Sequence, residues 1–346
     1  MWLMSQLTAD HKNIAEFRRL NSKAFQKDCT QPTGFLREAS LTGGEAPVVA
    51  IDGLRFKANA SKASLMNAKQ LAKAQERTAK RVAEYRAQLD KADREGTHDP
   101  DAAQIRKAPE WLKTRAAALE KAKAELDAGK TRVGLTDPDC VMLVKNGTAV
   151  VGYNLQQAVD AQHKLIVAYE VSTKHNDHAS LQPMTTQAKD ALRAESLTVV
   201  CDTGYANGTQ SEVCKKRNIT PVVPQPEAPN TRHAEGYTKA QFNYDKPTDT
   251  WRCPAGALLT LFKRDHAKRM DYYHTKACAT CAQKAQCTQA KQRTIARSWH
   301  AEATERAGAR TKADPKLMRL RSATAEHPFG NLKAILEGGF LLRTLP

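Results

Sequence analysis

Two aspartates sit in the same kind of sequence. Val48-Val49-Ala50-Ile51-Asp52-Gly53 runs four apolar residues straight into a carboxylate and a glycine, and Leu197-Thr198-Val199-Val200-Cys201-Asp202-Thr203-Gly204 does much the same later in the chain. Short runs rich in β-branched residues read as buried strands, so each carboxylate is expected at the edge of a sheet. A charge fixed there needs a partner, and a divalent cation with a preference for oxygen ligands is one that fits. The plainer alternative for Asp52 is that it only opens a turn with Gly53. A second chemistry is suggested by Cys253, Cys278, Cys281 and Cys287, spaced C-x24-C-x2-C-x5-C. A Cys-x2-Cys pair with two more cysteines nearby suits tetrahedral zinc; the alternative is four thiols with no metal. Glu326 and Lys333, two helical turns apart, share a face, where such a pair is ordinarily a surface ion pair.

The chain that must position these groups has 346 residues, room for two domains or one large domain with insertions. Its formal net charge of +17, from 54 Lys and Arg against 37 Asp and Glu, favours a polyanionic partner, most simply nucleic acid. Met1-Trp2-Leu3-Met4 is too short for a signal-peptide core, and no apolar run reaches the length of a membrane span. A cytoplasmic protein is expected, with its eight cysteines reduced. Cys29, Cys140, Cys201 and Cys214 stand apart from the cluster, and Cys201 reads as a small core residue.

Near the start, Thr8 can cap a helix with Ile14 and Phe17 on its apolar side and the basic pair Arg18 and Arg19 on its polar side. Residues 63–130 are rich in strong helix formers. Val82, Tyr85 and Leu89 step by three and four, as do Leu112, Ala116, Leu119, Ala122 and Leu126, with a break at Gly96-Thr97-His98-Asp99-Pro100. The spacing predicts two long helices in an antiparallel hairpin, either solvated or facing DNA. Strands follow at Ala149 to Val159 and Leu165 to Val171, joined by a hairpin loop from Asp160 to Lys164. A helix from about His178 to Arg193, the strand ending at Asp202, a helix near Gln210 to Lys216 and a strand Ile219 to Val223 complete the series. A further strand is predicted at Leu258 to Phe262, and a last helix around Leu317 to Leu336, which Pro328 should break or kink just after Glu326.

Without the helical hairpin this order resembles an RNase H-like domain. That fold places one carboxylate on its first strand and a second at the end of its fourth, the places of Asp52 and Asp202. Asp160 is the rival for the first role, but it should lie at the opposite edge of the sheet, as a turn residue.

The whole pattern resembles a DDE transposase of a bacterial insertion sequence. The likeness is carried by Ala9-Asp10-His11 through Ile14, Phe17 and Arg18, by Ile51-Asp52-Gly53 with Lys57 to Ser61, and by Gly152-Tyr153-Asn154-Leu155-Gln156 with Asp160. It continues through Asp202-Thr203-Gly204-Tyr205, the Cys-Pro and Cys-x2-Cys elements, and Glu326-His327-Pro328-Phe329-Gly330. The resemblance implies an α/β fold, an RNase H-like mixed sheet with a helical-hairpin insertion after strand 1 and a Cys-rich insertion before the final helix. It divides the chain into a partial helical DNA-binding region (1–46), a catalytic core (47–62 and 131–225), the hairpin (63–130), the Cys-rich insertion (226–312) and the final catalytic helix (313–346).

By the same resemblance Asp52, Asp202 and Glu326 form the catalytic triad and hold Mg, or Mn; the cysteine spacing separately leaves structural zinc as one of its two readings. Lys333, Arg321, Arg18 and Arg19 contact double-stranded DNA. Relatives often carry Tyr, Arg, Glu and Lys on the last helix. Here Glu326 and Lys333 match, Ser322 and Arg319 stand at the Arg and Tyr places, and Arg321 is one position early. The implied activity is metal-dependent strand cleavage and strand transfer by a homodimer on DNA, cytoplasmic and nucleoid-associated. Relatives usually extend further at both ends, which keeps a second reading open, a truncated non-catalytic DNA-binding remnant. A third is a nuclease that cuts without joining.

Overall fold

The computed structural model describes residues 46–95, 102–145, 147–226, 236–335 and 341–342, with short pieces between 34 and 42. The expected helix from Thr8, with Arg18 and Arg19, lies outside the described residues, as do Cys29 and the predicted break at 96–100.

A long first strand, β1 (Val48–Ala58), is the middle of the main sheet. It pairs antiparallel with β3 (Thr148–Asp160) along nearly its whole length, from Val49↔Asp160 to Lys57↔Gly152. On its other side it pairs parallel with β5 (Leu197–Val200), but only from Val48↔Thr198 to Ala50↔Val200. Parallel β6 (Ile219–Val222) lies beyond β5. The far edge of β3 takes β2 (Val141–Lys145) and then β4 (Ile166–Ser172), both antiparallel to it. The two residues Leu341–Leu342 add to β1 in parallel beside Lys57 and Ala58. The described sheet is therefore mixed and seven-stranded.

Alternation along β1 sends Val49 and Ile51 to one face and Ala50 and Asp52 to the other. The first face packs on α3 (Leu181–Leu192) and α4 (Gly208–Lys216) through Leu181, Met184, Ala188 and Cys214, all fully buried. The last helix, α6 (Pro315–Ile335), contacts β1, β3 and β5. Preceding it, α5 (Ala301–Ala313) packs against α4 and β6. The sequence reading contains neither α5 nor β2.

The predicted hairpin is present as α1 (Ala68–Glu95) and α2 (Ala102–Asp127). Leu71, Ala74, Leu119 and Ala122 close its seam over Val133. Between β6 and α5, a separate antiparallel sheet of five strands runs from Asn243 to Ser298 in chain order. Its strand Leu258–Asp265 continues past the predicted end at Phe262. Phe242, Trp251, Leu259, Tyr273 and Ile295 form a core of its own.

Two expectations change. Asp52 is not at a strand end: β1 continues six residues past it, and what ends near Asp52 is the pairing with β5. Pro328 does not break α6, which is helical to Ile335. A proline ring removes one helical donor and crowds the carbonyl four residues back, here Thr324. The neighbouring carbonyls are tied from outside, Ala323 O by Lys164 Nζ at 2.8 Å and Ala325 O by Gln157 Nε2 at 2.8 Å, so the turn is held in place.

Candidate active site

Asp52 is set by β1, with its Oδ1 accepting the Gly53 N–H at 2.8 Å. Asp202 follows β5 directly and caps the turn Thr203–Tyr205, its Oδ1 accepting from Gly204 N–H at 2.8 Å. Since β5 stops pairing at Ala50↔Val200, the chain places Asp202 beside the level of Asp52. Glu326 comes from α6, which lies across β1, β3 and β5.

Arg321, one turn before Glu326, joins two of these groups. Its Nη1 lies 3.3 Å from Asp52 Oδ2, and its Nη2 lies 3.4 Å from Glu326 Oε1 and from Ser322 Oγ. The Arg321 and Asp52 side chains are 13% and 17% exposed, whereas Glu326 is 60% exposed. Burial pushes the Asp52 carboxyl above its ordinary range. The Gly53 N–H and Arg321 act against that, and the negative charges of Asp202 and Glu326 push it further up. The three carboxylates thus share one electrostatic neighbourhood, drawn from three distant parts of the sequence. Among the described residues no three acidic, histidine or cysteine side chains close around a common point tightly enough to hold a metal ion as they stand. The cation now between Asp52 and Glu326 is Arg321.

Asp160 does lie away from this group. It pairs with Val49, three residues back along β1, and its Oδ2 accepts the His163 N–H at 2.8 Å, as a turn residue does. Lys333 is within α6, but its side chain lies outside the described residues.

Sequence reasoning missed the groups that brace the site. Gln157 sits directly across the ladder from Asp52 and is 1% exposed. Residues directly opposite in a ladder project to the same face. There Gln157 donates to Ala325 O, the carbonyl just before Glu326. One side chain therefore links the strand position opposite the first carboxylate to the helix carrying the third. Gln157→Leu removes a buried hydrogen bond between β3 and α6, and is expected to cost about 0.5–1.5 kcal/mol. Urea denaturation checks this, and an unchanged midpoint would show that Ala325 O is satisfied otherwise.

On the opposite face, Asp177 Oδ1 accepts from Asn154 Nδ2 at 2.8 Å and Gln156 Nε2 at 2.5 Å, and the Tyr205 hydroxyl donates to Gln156 Oε1. Burial raises the Tyr205 pKa well above a free tyrosine's, so the hydroxyl stays protonated and donates. Gly53 leaves room for this network. A β-carbon there would lie 2.5 Å from Gln156 Nε2 and 2.8 Å from Asp177 Oδ1. The available signal was three polar residues, Asn154, Gln156 and Gln157, within an otherwise apolar strand; buried polar groups are the informative exceptions in a core.

The four cysteines of the second cluster lie near one another without closing to metal-holding distance. Cys253, Cys278, Cys281 and Cys287 line one small cavity of about 20 Å³, with Pro254, beside the five-stranded sheet. Tight turns present them: Gly256 N–H bonds Cys253 O at 2.9 Å and Lys284 N–H bonds Cys281 O at 3.1 Å. Burial pushes the Cys287 thiol up, Arg293 pulls it down, and the other three cysteines push it up, so all four are near neighbours. By contrast Cys140, Cys201 and Cys214 are separately buried free thiols.

A family model described as a transposase DDE domain matches residues 252–341. The matched stretch holds Cys253, Cys278, Cys281, Cys287, Arg321 and Glu326, while Asp52 and Asp202 precede it. No curated protein and no solved structure matches the chain. The family match supports a DDE transposase, and with it transposition and DNA as the general function and partner. No described helix is long and apolar enough to cross a membrane.

Proposed function

We propose that this chain is a metal-dependent transposase that cleaves DNA at the ends of an insertion sequence and joins the freed 3′ end to a target. The observation that carries the reading is Arg321 bridging Asp52 and Glu326, with Asp202 near enough to Asp52 for its charge to act on that carboxyl. In this reading residues 47–62 and 131–225, completed by the helix in 313–346, form an RNase H-like core. The strand order β4-β3-β1-β5-β6, with only β3 running against the rest, supports it. The segments 63–130 and 226–312 are then insertions.

Three carboxylates on rigid elements suit Mg²⁺ or Mn²⁺, which prefer oxygen ligands. A pair of such ions would activate the attacking oxygen and stabilise the leaving one at a phosphodiester. The chain's own residues supply position. Gly53 N–H fixes one Asp52 oxygen and Gly204 N–H one Asp202 oxygen, while the second Asp52 oxygen meets Arg321. Gln157 holds the helix of Glu326 against β3. The test is incubation of a labelled duplex carrying the flanking ends of the encoding element with Mg²⁺ or with EDTA. Cleavage and a joined product in Mg²⁺ alone support a transposase. Cleavage with no joined product would reduce the activity to that of a nuclease, and binding with no cleavage would reject the enzymatic reading.

The cysteine cavity is proposed to hold one structural zinc. Four sulfur donors from two turn segments match its tetrahedral preference, and the opening admits little more than a single ion. Metal analysis of the purified chain should find one zinc, absent from Cys278→Ser/Cys281→Ser. A zinc-free preparation with an intact five-stranded sheet would overturn this assignment.

A further inference from the structure

We infer that a groove along the α1–α2 hairpin is a docking surface for the sugar-phosphate backbone of duplex DNA. The groove is open, about 800 Å³, and is lined by Lys73, Arg77, Lys80, Arg81, Arg115 and Trp111. Glu84 is the one acid on its wall, so five cations against one carboxylate leave a local charge of +4. Lys73, Arg77 and Arg81 follow at i, i+4 and i+8 on α1, one above the other about a helical turn apart.

Two cations on and just after the hairpin are paired. Lys130 at its base lies 2.5 Å from Glu125 and 3.9 Å from Asp139, and Lys113 lies 3.7 Å from Glu110. Among the described residues the five groove cations have no acidic partner within ion-pair distance. Like charges gathered without counter-charges repel one another, and an external polyanion relieves the repulsion. Arg115 stands 5.7 Å over the Trp111 ring, and the indole is 51% exposed. It offers a broad apolar face between cations, suited to the sugar between successive phosphates. A row of point charges without a planar arrangement of donors and acceptors positions a backbone and does not read bases. The surface therefore serves non-specific duplex contact. The identity of the polyanion rests on the transposase reading; the groove and its charge do not.

The test is fluorescence anisotropy of the full chain with a labelled duplex of arbitrary sequence, in EDTA, over a range of salt concentrations. For Lys73→Gln/Arg77→Gln/Arg81→Gln the affinity should fall equally for unrelated sequences. The slope of log K against log salt should shrink by about 3, one for each phosphate that the variant no longer neutralises. Arg77→Lys/Arg81→Lys keeps the charge and should bind nearly as the parent does. Lys113→Gln, outside the groove, should leave affinity and slope unchanged. Circular dichroism verifies that each variant is folded. A folded triple variant with the parent's affinity and slope overturns the proposal. So does binding of polyglutamate as tight as that of duplex, with the same weakening in the triple variant, because the groove would then be a general polyanion surface. Without metal the assay is independent of cleavage. A chain that binds through the groove and never cuts rejects the enzyme and keeps this surface.

Discussion

Asp52→Asn is expected to lower Mg²⁺-dependent cleavage by about 10³-fold while DNA affinity stays close to the parent's. The substitution is nearly isosteric. The amide oxygen can still accept the Gly53 N–H that now bonds Oδ1 at 2.8 Å, so β1 and its pairing with β3 and β5 should persist. What disappears is the negative charge in the place nearest Arg321 and coupled to both other carboxylates. Metal assistance at a phosphodiester is worth several kcal/mol of transition-state stabilisation, and each 1.36 kcal/mol is tenfold in rate. Loss of about 4 kcal/mol gives the stated factor. Asp160→Asn is the matched control. It removes a carboxylate from the same sheet, but at the level of Val49, where it serves the His163 turn. Its cleavage rate should stay within a few-fold of the parent's. Equal rates for Asp52→Asn and the parent would remove Asp52 from the chemistry. Equal losses at Asp52 and Asp160 would mean that the assay reports stability.

The contrast between these two aspartates also shows what the sequence could reveal. Apolar runs ending in Asp52 and Asp202 located two adjacent strands, whereas Asp160, expected at the opposite edge from Asp202, pairs with Val49, three residues from Asp52. The α1–α2 hairpin was legible because large apolar residues repeat at helical spacing and survive as a buried seam at Leu119 and Ala122. Helix α5 was not legible, because Ala301–Ala313 contains no large apolar side chain. It buries Ala303, Ala307 and Gly308, a small-residue contact that leaves no hydrophobic period to detect. The missed strand β2 carried a signal that went unused. In sequence, Asn146-Gly147 is a dipeptide that favours hairpin turns, and the ladder of β2 on β3 runs to the Lys145↔Thr148 pair. Gly152 shows the limit of composition. A β-carbon there would run into the Phe56 carbonyl oxygen of β1, a close approach that only the register of β1 on β3 creates. The uses of Gln157 and Arg321 were hidden for the same reason. Each depends on α6 crossing the sheet at one particular place, and a contact between residues 157 and 325 has no local signature.

Arg321→Met should have the other large effect, on stability and on the response to metal together. Arg321 was expected to face DNA, but its guanidinium is turned onto Asp52 and Glu326. Removing one member of a buried ion pair typically costs about 3–5 kcal/mol, because the remaining charge is left without compensation. That charge is Asp52, whereas Glu326 is mostly exposed and adds little. The metal-free variant should therefore unfold at a clearly lower urea concentration. A divalent cation bound among the same carboxylates would restore the missing charge, and it would no longer compete with the guanidinium. Ligand binding stabilises by RT ln(1 + [L]/Kd), so a site freed of competition responds at lower concentration. The rise in Tm with Mg²⁺ or Mn²⁺ should be larger in Arg321→Met than in the parent and should vanish in Asp52→Asn/Arg321→Met. Equal metal responses in parent and variant would show that Arg321 does not occupy the cation position. Cleavage then separates two roles. Arg321 Nε and Nη1 are buried with no hydrogen-bond acceptor, Nη1 meeting Asp52 without alignment, so a displaced guanidinium has donors ready for a phosphate oxygen. A variant that binds metal more tightly yet cleaves slowly at saturating Mg²⁺ would place Arg321 on DNA during the reaction. Full cleavage at lower Mg²⁺ would confine it to holding the carboxylates together until metal arrives.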